Sequence, residues 1–202
     1  MTVKKLTIAM TGASGAPYTL TLMDACLKAG IHVQFLVSGP GQIVIGMETD
    51  LKLTGSPQKM KAKLTEYFGS NSDQLDVYSK EQWTAPPASG SSVADAMVVC
   101  PCSMGTLAAI TAGTSENLIH RAADVMIKER KLLILCPRET PFSSIHLENM
   151  LKLSNLGVVI LPPNPGFYQG VESVQDLVDF VVARILDQLK ILNNLSLRWG
   201  AD

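Results

Sequence analysis

The chain has 202 residues, 47% hydrophobic and only 17% charged, with seventeen Lys and Arg against eighteen Asp and Glu for a net charge of −1. That much apolar side chain excludes disorder, no run approaches the roughly 18 consecutive apolar residues of a membrane span, and no basic, aromatic-laced patch suits nucleic acid. The charged fraction lies below the usual value of about 25%, so part of the surface is expected to pack against other subunits rather than water.

Lys4-Lys5 before Leu6–Met10 imitates a secretory signal, but an apolar core of about five residues is too short. Leu6–Met10 reads as a first strand. Thr11-Gly12-Ala13-Ser14-Gly15-Ala16-Pro17-Tyr18 follows and opens a helix over Pro17–Ala29. Its small residues let the backbone approach a ligand, and the helix N-terminus offers N–H groups to a phosphate. The competing reading is a plain strand-to-helix turn with a Ser cap. The tetrad is neither the dinucleotide fingerprint nor a P-loop. The second strand, His32–Val37, ends in Ser38-Gly39-Pro40 without the acidic residue that grips an NAD ribose. A mononucleotide such as FMN remains possible.

After a third strand at Leu75–Tyr78 comes Trp83-Thr84-Ala85-Pro86-Pro87-Ala88-Ser89-Gly90-Ser91-Ser92. Such clusters are usually surface connections, but Trp83 favours a binding loop. The fourth strand, Ala96–Cys100, leads through Pro101-Cys102 into Ser103-Met104-Gly105-Thr106, again a strand, a small polar turn and a helix. Cys-x-Cys lacks a second Cys or His pair, and His32, His120 and His146 are scattered, so no metal site is expected. Cys26, Cys100, Cys102 and Cys136 fit no disulfide framework, which points to a reducing cytoplasm.

A helix is predicted over Ala122–Arg130, with Arg121 and Lys128 seven apart on one face. The fifth strand, Lys131–Cys136, is followed by Arg138-Glu139. A sixth, Val158–Leu161, precedes the Pro165-Gly166-Phe167-Tyr168 turn. The last helix runs from a Ser173 cap to Leu192, with Arg184 near its apolar face. Inward Arg and Lys in a charge-poor chain suit phosphate, although any single one reads equally as a solvated ion pair. Several strands are continuously apolar, as in sheets buried on both faces. The expected fold is α/β: a single doubly wound, mostly parallel, Rossmann- or flavodoxin-like sheet with helices on both faces, forming one domain over residues 1–202.

Together, Met10–Ala16, Pro86–Ser92, Cys100–Ser103, Asn117–Val125, Pro137–Met150 and Pro165–Tyr168 resemble the UbiX/Pad-type flavin prenyltransferases, a family of the flavin-binding cysteine-decarboxylase-like fold. The resemblance implies prenylation of reduced FMN by dimethylallyl phosphate, first at flavin N5 and then at C6. The product is the prenylated FMN used by UbiD-type decarboxylases, for example in ubiquinone synthesis. It further implies a metal-independent enzyme and a dodecamer, with the C-terminal helix in oligomer contacts. Carried over by residue, Gly12, Ala13, Ser14, Ser38, Ser103, Met104, Gly105, Thr106 and Arg138 hold FMN. Arg121, Lys128, Tyr168 and Arg184 hold the allylic phosphate, some of them reaching from neighbouring subunits. Glu139, Ser14, Ser89 and Trp83 line the reacting centre, with Glu139 the residue expected to move a proton. The rival readings are an FMN-dependent decarboxylase of the same fold and a non-catalytic flavin carrier.

Overall fold

The computed structural model describes residues 3–168, 170–197 and 200. Six strands form one sheet: Lys5–Met10 (β1), His32–Val37 (β2), Leu75–Tyr78 (β3), Ala96–Cys102 (β4), Leu132–Pro137 (β5) and Val159–Ile160 (β6). Their order is β3-β2-β1-β4-β5-β6, and every neighbouring pair is parallel. Parallel neighbours need crossovers. Among the described residues these use helices Ala16–Lys28 (α1), Gly39–Glu48 (α2), Pro57–Phe68 (α3), Met104–Ala112 (α4), Leu118–Lys128 (α5) and Ser144–Asn155 (α6), with Val174–Gln188 (α7) closing the chain.

The apolar runs become strands because both faces of the sheet are covered. β4 is buried at every position, and β1 and β2 at all but their first. Leu6, Ile8, Val33, Phe35 and Val98 pack with α1, α3 and α7 in one core. Ala9, Leu36, Met97, Val99 and Leu133 alternate with them and pack under α4, α5 and α6 in a second core. A one-residue slip would exchange the two sets, so the register is fixed by packing.

Six of the seven helices start on a Ser or Asn side chain: Ser38, Ser56, Ser103, Asn117, Ser143 and Ser173. Each cap contributes about 1 kcal/mol. These caps also explain where observed boundaries depart from the predicted ones. α5 starts at Leu118 rather than Ala122, because Asn117 Oδ1 accepts from the Ile119 and His120 amides at 2.9 and 3.1 Å. It stops at Lys128 because Arg130 turns into the left-handed region at φ 53. α7 stops at Gln188, four residues short of Leu192. There Lys190 (φ 57) reverses the chain, and Ile191 donates to the Leu186 carbonyl at 2.9 Å.

β4 runs two residues past Cys100, since Cys102 still pairs with Pro137 after an irregularity in the register. β6 keeps only two of its four predicted residues. The sequence reading also passed over α2, α3 and α6. α2 opens Gly-Pro-Gly, among the weakest helix formers, and its signal lay in the Ser38 cap instead.

Candidate active site

β1 and β4 are neighbours in the sheet whose following strands lie on opposite sides. The ligand crevice of such a sheet lies between the loops leaving those two strands. Thr11 ties the loops together. Its N–H and Oγ1 both donate to the Pro101 carbonyl, at 3.2 and 2.9 Å, and Oγ1 accepts from the Ser103 N–H at 2.7 Å. Ser38 and Ser103 border the crevice as helix caps. Ser38 Oγ accepts from the Gly41 amide at 3.0 Å, and Ser103 Oγ donates to Thr106 Oγ1 at 3.1 Å. A Cβ at Gly12 would stand 2.5 Å from Pro40 Cβ, so only glycine lets the loop press onto the start of α2. Arg138 closes the rim: its N–H donates to the Cys102 carbonyl at 3.2 Å and its Nε to the Ser14 carbonyl at 3.1 Å. Gly12, Ala13, Ser14, Ser38, Ser103, Met104, Gly105, Thr106 and Arg138 thus gather along one edge of the sheet.

Glu48, which the sequence reading did not single out, belongs to this platform. One of its carboxylate oxygens accepts from the Gly15 and Ala16 N–H groups at 2.9 and 2.8 Å. Of the N–H groups expected at the N-terminus of α1 for a phosphate, a carboxylate already uses two. It suits that position, where the helix dipole favours negative charge. The cap is Gly15 at φ 133, not Ser14. Upstream, the Ala13 and Ser14 amides donate to no other described residue. Glu48 lies 33 residues from Gly15 in the chain, too far for any local pattern to reveal the contact.

A second group of residues lies along α5. Ala85 and Pro87 are buried and anchor the proline-rich loop, with Ala85 in the core beneath α5. Arg121 Nε donates to the Ala88 carbonyl at 3.1 Å, and Arg121 Nη1 to Asp124 at 2.8 Å. Two turns on, Lys128 pairs with Glu129 and stands 3.0 Å from where a Gly90 Cβ would be. Ala88 and Gly90, on either side of Ser89, therefore each meet one of two cations. The Ser89 and Ser91 hydroxyls are hydrogen-bonded at 3.0 Å, and Ser92 Oγ donates to the Pro86 carbonyl at 2.9 Å, which closes the loop. Trp83, on the same loop, is half exposed.

Tyr168 and Arg184 do not join this cluster within one chain. α7 belongs to the opposite layer of the sheet. Arg184 pairs with Asp187 at 2.9 Å and lines a groove of about 330 Å³ along β6, together with Phe180 and Leu161. The Tyr168 ring meets Phe180 edge-on at 6.0 Å. Glu139 follows Arg138 on the exposed rim, and its carboxylate accepts from the Thr140 amide at 3.1 Å. Ser14 is contacted by Arg138.

The cysteines are packing groups. All four are free and buried, and burial pushes the Cys102 thiol far above its ordinary range, which makes it a poor nucleophile. Burial also lowers His120, which favours its neutral imidazole. Among the described residues no group of His, Cys, Asp and Glu is arranged to hold a metal ion.

A doubly wound parallel sheet with a small-residue crevice at its switch point defines a mononucleotide-binding α/β protein. The flavoprotein family matches residues 1–186. The chain is 58% identical over 98% of its length to the flavin prenyltransferase UbiX of Pseudomonas aeruginosa, covering 94% of that protein. It shares its fold with AnUbiX in complex with FMN and dimethylallyl pyrophosphate, at TM-score 0.87 and 38% identity over 98% of both chains. A dodecameric FMN-dependent UbiX-like decarboxylase from Escherichia coli aligns at TM-score 0.86 and 39% identity, over 98% of this chain and 100% of that one. The chain belongs to the flavoprotein family and, within it, to the UbiX flavin prenyltransferases.

Proposed function

We propose that this protein transfers the dimethylallyl group of dimethylallyl phosphate to reduced FMN and supplies the prenylated flavin to a UbiD-type decarboxylase, as in ubiquinone synthesis. One observation carries the reading: apart from the flavin crevice the chain holds a second cationic surface, with Arg121 on the Ala88 carbonyl and Lys128 against Gly90. Holding FMN alone needs no second cationic site.

FMN fits the crevice. The Ala13 and Ser14 amides are free to donate to it, Gly12 keeps the loop low, and Ser38 and Ser103 to Thr106 border the same space. Arg138 fixes the Ser14 carbonyl, and with it the loop. Bound reduced FMN supplies the electron-rich ring that accepts the allyl group. Arg121 and Lys128, with the Ser89 and Ser91 hydroxyls, receive the phosphate and stabilise its departing charge. Tyr168 and Arg184 complete the phosphate site from a neighbouring subunit. Trp83 shields the allyl cation from water and attracts it with its ring face. Glu139 takes up the ring proton at its carboxylate, with the released phosphate as the competing base.

Assembly into a homo-oligomer, read here as a dodecamer with α7 in its contacts, fits the exposed apolar side chains. Ile43 and Met47 on α2 are 64% and 80% exposed, and Ile145 and Leu151 on α6 are 65% and 63% exposed. Four free cysteines suit a cytoplasmic location, and among the described residues no helix is long and apolar enough to cross a membrane.

The test is a mass spectrum of flavin released after the reduced protein is incubated with FMN and dimethylallyl phosphate. An added isoprenyl mass is expected. Unmodified flavin with carbon dioxide released from an aromatic acid would replace this reading with the decarboxylase. Bound, unmodified FMN with no chemistry would replace it with the carrier.

A further inference from the structure

Given the phosphate site proposed above, we infer that Glu129 is its exchange counter-ion, a carboxylate that holds Lys128 between turnovers and competes with the product phosphate for it. All three cations assigned to the phosphate carry a carboxylate partner from their own stretch of chain. Arg121 pairs with Asp124, Arg184 with Asp187 and Lys128 with Glu129. The pairs are not equivalent. Arginine has five N–H donors in a fork, so Arg121 bonds Asp124 and the Ala88 carbonyl at once and keeps donors for a further oxygen. Lysine is a compact point charge, and a carboxylate in direct contact with it occupies the side an incoming anion would approach.

The position of Glu129 makes the competition direct. Adjacent residues on a helix do not face each other, but α5 ends at Lys128, with Glu129 as its cap and Arg130 left-handed at φ 53. The Glu129 side chain thereby folds back onto Lys128 and under the proline-rich loop. A Cβ on Gly90 would overlap its carboxylate. The Glu129 carboxylate and the Lys128 ammonium thus both lie against Gly90, and an anion that pairs with Lys128 has to displace the carboxylate from it. The neighbouring ammonium also holds the Glu129 carboxyl below its ordinary range, which keeps it charged at neutral pH.

The exchange has a clear physical direction. A phosphate monoester brings a charge of about −1.5 to −2 at pH 7 against −1 for the carboxylate, so the substrate displaces Glu129. The substrate also has an apolar tail to bury, whereas inorganic phosphate does not. A resident competitor of fixed strength therefore costs the product a larger share of its binding than it costs the substrate, and phosphate leaves.

The test measures inhibition by inorganic phosphate in the FMN-loaded oligomer, with dimethylallyl phosphate varied. Glu129→Gln should tighten phosphate inhibition about three- to fivefold, the range of a partly exposed ion pair, with FMN retention unchanged. Glu129→Ala should move it in the same direction. Combined with Lys128→Met, the Glu129 effect should vanish, because the two residues act on one pair. Unchanged or weaker phosphate inhibition in Glu129→Gln, while Lys128→Met relieves inhibition, would overturn the exchange role and leave the phosphate site standing. Phosphate inhibition untouched by Lys128→Met would remove the phosphate site itself.

Discussion

The crevice between β1 and β4 and the shelf along α5 both hold anionic ligands in the proposed function, yet they are assembled in different ways. The crevice is tied together inside one chain: Thr11 joins the two strand loops, Arg138 holds Ser14, and Glu48 fixes Gly15 and Ala16. The phosphate cations instead stand on two layers, Arg121 and Lys128 on α5 and Arg184 on α7, each engaged by a carboxylate. A site built from internal backbone contacts is organised before its ligand arrives, which cuts the cost of binding. A site built from long charged side chains is completed by its neighbours and by the ligand.

The sharpest way to break this contrast is to remove one cation. Arg121→Ala should lower kcat/KM for dimethylallyl phosphate about a hundredfold or more, as for other preorganised charge stabilisers, while FMN retention stays at the wild-type level. Equal loss of flavin would show that the two regions are one site. Glu139→Gln is expected to lower the rate of product formation about a hundredfold, with both ligands still bound in equilibrium titrations; a normal rate would take Glu139 out of the chemistry. Gly12→Ala attacks the platform from the other side. Its Cβ must push Pro40 away, so thermal unfolding should show a loss of about 1–3 kcal/mol together with weaker FMN binding. The smallest effect is expected for Glu48→Ala, which removes one carboxylate from two amides and should cost about 1 kcal/mol in denaturant unfolding. A larger fall in flavin affinity than in stability would place Glu48 in the flavin site proper.

Each residue assigned to the crevice follows a strand directly or opens the helix after it, and that is why it was legible. Ser14, Ser38, Ser103 and Arg138 fall at the carboxyl ends of runs whose continuous apolar character marks parallel strands. Arg121 and Lys128 were legible for the same local reason, since helical periodicity puts positions seven apart on one face. Asp124 and Asp187 also lay within reach of the sequence, because acidic residues three positions after an arginine on a helix are its natural partners. Glu48 was not: its helix begins with Gly-Pro-Gly, and its target is a loop on another element.

By itself, then, the sequence determined the six strands, the helices that follow β1 and β4 and the one that closes the chain, the crevice at the switch point, and the face of α5 that carries Arg121 and Lys128. These follow from side-chain periodicity and from the chemistry of the residues next to each strand end. Tertiary structure alone decided that a carboxylate from α2 takes the first amides of α1, that Glu129 folds back beneath Gly90, and that Arg184 stands across the sheet from Arg121. Those outcomes depend on which elements the packed sheet brings side by side, and a one-dimensional pattern carries no record of contacts between residues far apart in the chain.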